Sequence, residues 1–136
     1  MATDPVLKIE DLRVSYYTDA GRAIALDGMT LSLNAGEKLG LVGESGSGKS
    51  TMALAMMRMI KPPGRIEGGK VIVGGLDLRT LSEDEMLRAR LSKISYIPQG
   101  AMNSLNPVMR IGAQMVDAVE AHNKDRFLSK NDILDR

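Results

Sequence analysis

The sequence predicts an α/β fold preceded by an antiparallel β segment. Three adjoining features carry that reading. "KLGLV", residues 38–42, is apolar nearly throughout, as a strand covered on both faces of a parallel sheet is. "GESGSGKST", residues 43–51, follows at once and is dominated by glycine and serine. Behind it, Ala53, Met56, Met57 and Ile60 fall at i, i+3, i+4 and i+7, which places them on one face of a helix.

The elements follow in order. Leu7, Ile9, Val14 and Tyr16 lie in an alternating stretch that predicts a half-buried strand, with Asp11 and Leu12 shifting the alternation as a bulge does. "TDAGR" predicts a turn, and Met29, Leu31 and Leu33 resume the alternation, so the first forty residues or so predict an antiparallel pair. After the glycine-rich loop and its helix, "KPPG" is the expected stop. The four methionines at 52, 56, 57 and 59 are read as packing rather than as an adaptable binding surface. "GRIEGGKVIVGGLDL" predicts two short strands separated by glycine pairs. Ser82 followed by Glu85 matches a capping box opening a charged helix through about Arg90. "KISYIP" predicts a second buried strand, "QGAMNSLNP" a loop, and residues 111–121 another helix. His122, followed by polar residues, is read as a surface histidine.

Composition bounds the function classes. The chain has 136 residues, 43% hydrophobic and 26% charged, which fits a globular domain with a real core. Eighteen basic and seventeen acidic residues leave a formal charge of +1, so no global field points to nucleic acid. The absence of cysteine excludes a disulfide framework and a thiolate metal site. The opening "MATDPVLKIEDL" has neither a basic leader nor an apolar core, so no secretory signal is expected, and no apolar run is long enough to span a bilayer.

Gly43 and Gly48, with four residues between them, followed by Lys49 and Ser50, form a phosphate-binding pattern in the strand–loop–helix context that its mechanism needs. Small residues permit positive φ and close backbone approach, so the N–H groups of Glu44, Ser45, Gly46, Ser47 and Gly48 can converge on phosphate oxygens. The helix behind adds unpaired N–H groups and the positive end of its dipole. Lys49 is expected to reach the β and γ phosphates, the Ser50 hydroxyl to ligate Mg²⁺, and Thr51 to bond the α phosphate of ATP. The plain alternative is a flexible turn entering a helix.

"GESGSGKST" resembles the Walker A motif of ABC transporter ATPases, "ISYIPQ" stands where that family carries its Q-loop, and "SLNP" resembles the oligopeptide, dipeptide and nickel importer branch. "LKIEDLRVSY" and "GGLDL" also fit, so the resemblance covers essentially the whole chain. It implies a P-loop NTPase core of the ABC ATPase type, incomplete, with the N-terminal β segment, P-loop and Q-loop in 1–110 and the start of a helical subdomain in 111–136. It implies that Tyr16 stacks on adenine, with Tyr17 as its rival and a mere strand end as the alternative. It implies that Gln99, otherwise a solvated loop residue, ligates Mg²⁺ and senses the membrane subunit. Gly100 and Ala101 depart from the acidic residue and proline that often follow this glutamine in the family.

No Walker B, signature motif or switch histidine occurs in these residues, so no catalytic residue is assigned. "VIVGGLD" is rejected as a Walker B because it lies too early and breaks at Gly-Gly. The resemblance implies an ATP-binding subunit of an importer, coupling ATP binding and hydrolysis to uptake of peptides or nickel. Its implied partners are a second ATPase subunit, a separate transmembrane permease and, indirectly, a solute-binding protein, at the cytoplasmic face of the membrane. Two other readings stand beside it: a nucleotide-binding and interaction module without turnover, and a P-loop kinase or GTPase. The last lacks a base-reading "NKxD" motif, since "HNKDR" places Asp125 one residue early.

Overall fold

The computed structural model describes residues 4–122 and falls into two compact units, Met1–Tyr96 and Ile97–Arg136. The first holds strands β1 (Leu7–Thr18), β2 (Gly21–Leu33), β3 (Gly64–Val73) and β4 (Leu76–Asp77) with helices α1 (Lys49–Met56) and α2 (Glu83–Ser92). The strands form one antiparallel sheet in the order β2-β1-β3-β4.

The predicted bulge in β1 is present. Pairing shifts register between Ile9 and Leu12 toward β2 and between Glu10 and Arg13 toward β3, and Asp11 takes a φ of 48°. The extra residue moves the inward set from odd to even positions, which is how Ile9, Leu12 and Val14 are all fully buried. The Asp11 N–H donates to Thr30 Oγ1 at 3.0 Å, so β2 secures the bulge from the neighbouring strand. On the core face these residues meet Leu26, Val71 and Val73 of the sheet, Met52 and Ala55 of α1, and Met86 and Ala89 of α2.

Two predicted strands are not formed. Residues 38–42 form no strand; Leu39, Leu41 and Val42 are exposed, Val42 at 92%. "KISYIP" gives only an isolated bridge between Arg90 and Ile94, and Ile97 is 84% exposed. Both segments have the apolar composition of central parallel strands, but such strands need hydrogen-bonded neighbours. Among the described residues no strand pairs with either. The two strands expected of the glycine-rich stretch are present as β3 and β4, paired antiparallel and joined at Gly74 and Gly75; β3 continues through the earlier glycine pair, where the missing side chain of Gly69 lets it pass the β1 bulge.

Helix α1 is shorter than the spacing implies. It closes in a Schellman motif, with Met59 N–H bonded to Leu54 O and Arg58 N–H to Ala55 O, so the chain turns at Arg58 before reaching "KPPG". The most buried residues here are therefore Met52, Ala55 and Met57, while Met56 and Ile60 pack at the edge of the core and Met59 is exposed.

Helix α2 opens with the predicted capping box: Glu85 N–H donates to Ser82 Oγ at 3.3 Å and Ser82 N–H to Glu85 Oε2 at 2.8 Å. The Ser82 N–H, then the Ser82 hydroxyl, hold the Glu85 carboxyl below the usual carboxylate range. A depressed carboxyl stabilises the fold above its unfolded pKa and loses that contribution as pH falls through the folded value. Ser82→Ala is expected to cost about 1 kcal/mol of stability at neutral pH. The gap between the melting curves of wild type and variant should narrow without closing as the pH drops below the ordinary glutamate range: the hydroxyl's bond to the Glu85 carboxylate is lost there, while its bond from Glu85 N–H is not; a gap that widens toward acid pH contradicts this origin.

In the second unit, a 3₁₀ turn (Ala101–Ser104) precedes helix α3 (Ile111–His122), the helix expected at 111–121. The Gln114 carboxamide clasps the intervening loop, accepting from Asn106 N–H at 2.8 Å and donating to Asn106 O and Met109 O. Residues 123–136, the rest of the expected helical subdomain start, and the His122 side chain lie outside what the structure describes.

Candidate functional site

The glycine-rich loop delivers the chain to the N-terminus of α1. Gly48 is the N-cap, left-handed at φ 89°, and no side chain caps the helix. A Cβ on Gly48 would lie 2.6 Å from Ala25 O of β2, so the loop rests directly on the sheet backbone and only glycine fits there. The first intrahelical bond runs from Met52 N–H to Gly48 O at 2.8 Å. The N–H groups of Lys49, Ser50 and Thr51 precede it and so have no acceptor within the helix. No acidic residue lies in the first turn to offset the positive end of the dipole.

Lys49 folds back over the loop. Its Nζ donates to Gly43 O at 2.7 Å, Glu44 O at 2.5 Å and Ser47 Oγ at 3.1 Å. Ser47 N–H donates to Glu44 O at 3.2 Å, closing a turn with Ser45 and Gly46 at its exposed tip, where Gly46 takes φ 83°. Ser50 is exposed and Thr51 half-buried. The Lys49 ammonium, the free first-turn N–H groups of α1 and the Ser50 hydroxyl beside them suit an anion with several oxygens and an accompanying cation. The donor chemistry thus fits a nucleoside triphosphate with Mg²⁺.

Tyr16 and Tyr17 point to opposite faces of the sheet. Tyr16 is half-buried: a Cβ on Gly64 would lie 2.7 Å from its ring and 2.7 Å from Ile60 Cγ2, so glycine leaves the room the ring uses. It pairs with Ala23, two residues before the Ala25 carbonyl on which Gly48 rests. Tyr17 is engaged elsewhere. Its hydroxyl donates to Glu67, which raises the phenol pKa, and the Arg65 guanidinium stands 5.3 Å from its ring centroid. Gln99 is exposed in a turn of the second unit.

Sequence reasoning missed Ala25 and Leu26 as the floor of the loop, because a backbone carbonyl leaves no mark in the sequence. Alternation marked only Met29 to Leu33 of β2 and could not say that the loop would land on the strand's earlier half.

Sheet, loop and helix together define the N-terminal portion of a P-loop NTPase core. Residues 26–136 match the family model described as ABC transporter, and the chain belongs to that family. It is 44% identical over 119 residues to the oligopeptide transport ATP-binding protein OppD of Escherichia coli, covering 88% of this chain and 35% of that protein. It is 41% identical over 117 residues to the dipeptide transport ATP-binding protein DppD of Caldanaerobacter subterraneus, covering 86% and 36%. The chain thus spans about a third of the length of these curated relatives. The dimeric MJ0796 bacterial ABC transporter cassette shares the fold, with a TM-score of 0.76 and 22% identity over 94% of this chain and 53% of that one. A second structure of that cassette, in a post-hydrolysis state bound to ADP and Pi, matches equally, at a TM-score of 0.76.

Proposed function

We propose that this chain is the ATP-binding portion of an ABC importer ATPase that powers peptide uptake through a separate permease. The observation that carries it is the loop from Gly43 to Thr51, with Gly48 seated on Ala25 O and Lys49 drawn over the cradle. The relatives, an oligopeptide and a dipeptide transport ATP-binding protein, support peptides over nickel as cargo.

The loop N–H groups and Lys49 hold the β and γ phosphates, and Thr51 bonds the α phosphate. Ser50 would supply an oxygen to Mg²⁺, which when bound would neutralise phosphate charge. Tyr16 stacks on the adenine, a contact worth roughly 1–3 kcal/mol. Tyr17 is the poorer platform because Glu67 and Arg65 already engage it. Residues 1–110 form this part of the core and 111–136 begin the helical subdomain.

Hydrolysis belongs to the whole protein, working with a second ATPase subunit, the permease and, through it, a solute-binding protein at the cytoplasmic face of the membrane. Among the described residues no helix is long and apolar enough to cross a membrane. That fits a subunit whose membrane spans come from the permease.

Titration with a fluorescent ATP analogue in Mg²⁺ should give saturable binding that ATP competes more strongly than GTP. GTP preference returns the chain to the GTPase reading. Phosphate release should be absent from the chain alone and appear with a complete partner subunit; turnover by the chain alone contradicts this division of labour.

A further inference from the structure

Helix α1 has eight residues, about 12 Å from end to end, far too short to be stable by itself. Its first turn faces the phosphate loop, so the direction of that turn depends on how the last turn is held. The Schellman motif occupies Leu54 O and Ala55 O but leaves the Met57 carbonyl to be satisfied from elsewhere; the last turn has no basic residue, and the motif requires Arg58 in a left-handed conformation, φ 50°.

The hold comes from α2. Arg90 Nε and Nη2 donate to Met57 O at 3.2 and 3.1 Å, and Nη2 lies 3.5 Å from Arg58 O. Met57 is the C-cap and 6% exposed, so the guanidinium satisfies a carbonyl in a buried setting and puts positive charge at the negative end of the dipole. The Arg58 side chain turns to α2 and the chain before it, donating to Leu81 O at 2.6 Å and pairing with Glu83. Helix α2 is itself fixed by its capping box and by buried Met86 and Ala89. Thus α1 is pinned at its N-terminus where Gly48 meets Ala25 O, in the middle by Met52 and Ala55, and at its C-terminus by Arg90.

We propose that Arg90 is a positioning residue for phosphate binding: through the Met57 carbonyl it fixes α1 so that the first-turn N–H groups and the loop keep their aim. This rests on the nucleotide-binding reading above. Without the Arg90 pin the freed C-terminal end can swing about Met52 and Ala55, and in so short a helix that tilt is carried into the first turn.

The test uses Arg90→Met, which keeps an apolar stem, and Arg90→Lys, which keeps charge and a single donor, in the full chain. Affinity for the Mg²⁺-loaded ATP analogue is measured well below each melting temperature, and amide exchange at residues 49–52 is measured without nucleotide. Arg90→Met should weaken binding about tenfold and speed first-turn exchange; Arg90→Lys should weaken it about threefold, since one charged donor remains. A purely stabilising role lowers the melting temperature but leaves the affinity of the folded variant at the wild-type value, which overturns the proposal. Should Arg90→Met fail to fold, an Arg90→Lys affinity equal to wild type overturns it as well. Should wild type itself fail to bind, the nucleotide reading fails, and unchanged first-turn exchange in the variants then overturns the role of Arg90 independently.

Discussion

Lys49→Ala should weaken binding of Mg²⁺-loaded ATP about thirtyfold, roughly 2 kcal/mol, the scale of a hydrogen bond to a charged group. Two losses combine in that figure. The ammonium is the one cationic side chain within residues 43–51, so the phosphates lose their charged partner. It also ties the loop together through Gly43 O, Glu44 O and Ser47 Oγ, so the cradle loses the clasp that shapes it before ligand arrives. The fold should hardly notice, because the side chain ends on an exposed loop and surface changes usually stay within about 0.5 kcal/mol. Titration of wild type and variant with the fluorescent analogue, beside their melting curves, separates the two effects. Equal affinities sink the assignment of Lys49, and a large fall in melting temperature moves its role from ligand binding to folding.

What the sequence made legible was local. The β1 bulge showed as a slip in alternation around Asp11 and Leu12, and the capping box showed as Ser82 with Glu85 three positions on. The phosphate loop showed because each residue in it answers a local need, positive φ, close approach or charge. What stayed hidden depends on partners distant in the chain. Residues 38–42 have the composition of a buried strand, yet a strand exists only where neighbours bond its edges, and composition does not report neighbours. The end of α1 at Arg58 was hidden likewise: the left-handed residue is an arginine rather than a glycine, so the usual stop signal is missing, and the contact from Arg90 to Met57 spans 33 positions. Alternation sets Tyr16 with Val14 in the half-buried set, but it does not report what either ring touches. Only the sheet shows that one ring packs toward the core and the other meets Glu67 and Arg65.

Gly69→Ala should destabilise the first unit by about 2–5 kcal/mol, combining left-handed strain with overpacking that side chains cannot relieve. Gly69 takes φ +91°, and a Cβ there would lie 2.5 Å from both Asp11 O and Leu12 Cα. Those are backbone atoms of the bulge, and the bulge cannot retreat: Asp11 is bonded to Thr30 and paired with Arg13, and Leu12 is fully buried. Arg79 holds the other side by donating to Gly69 O, so β3 cannot slide outward without losing that bond. Gly74→Ala is the control, since Gly74 also has positive φ, +54°, but a Cβ there meets nothing within 4 Å; its cost should stay near 1 kcal/mol. A displaced β1 also shifts β2, which pairs with it from Leu7 to Thr18, and β2 carries the Ala25 carbonyl on which Gly48 is seated. Gly69→Ala should therefore weaken nucleotide binding at temperatures where it is still folded, whereas Gly74→Ala leaves affinity intact. Equal melting temperatures for the two variants contradict the clash. A folded Gly69→Ala with wild-type affinity shows instead that β2 absorbs the shift before it reaches the loop.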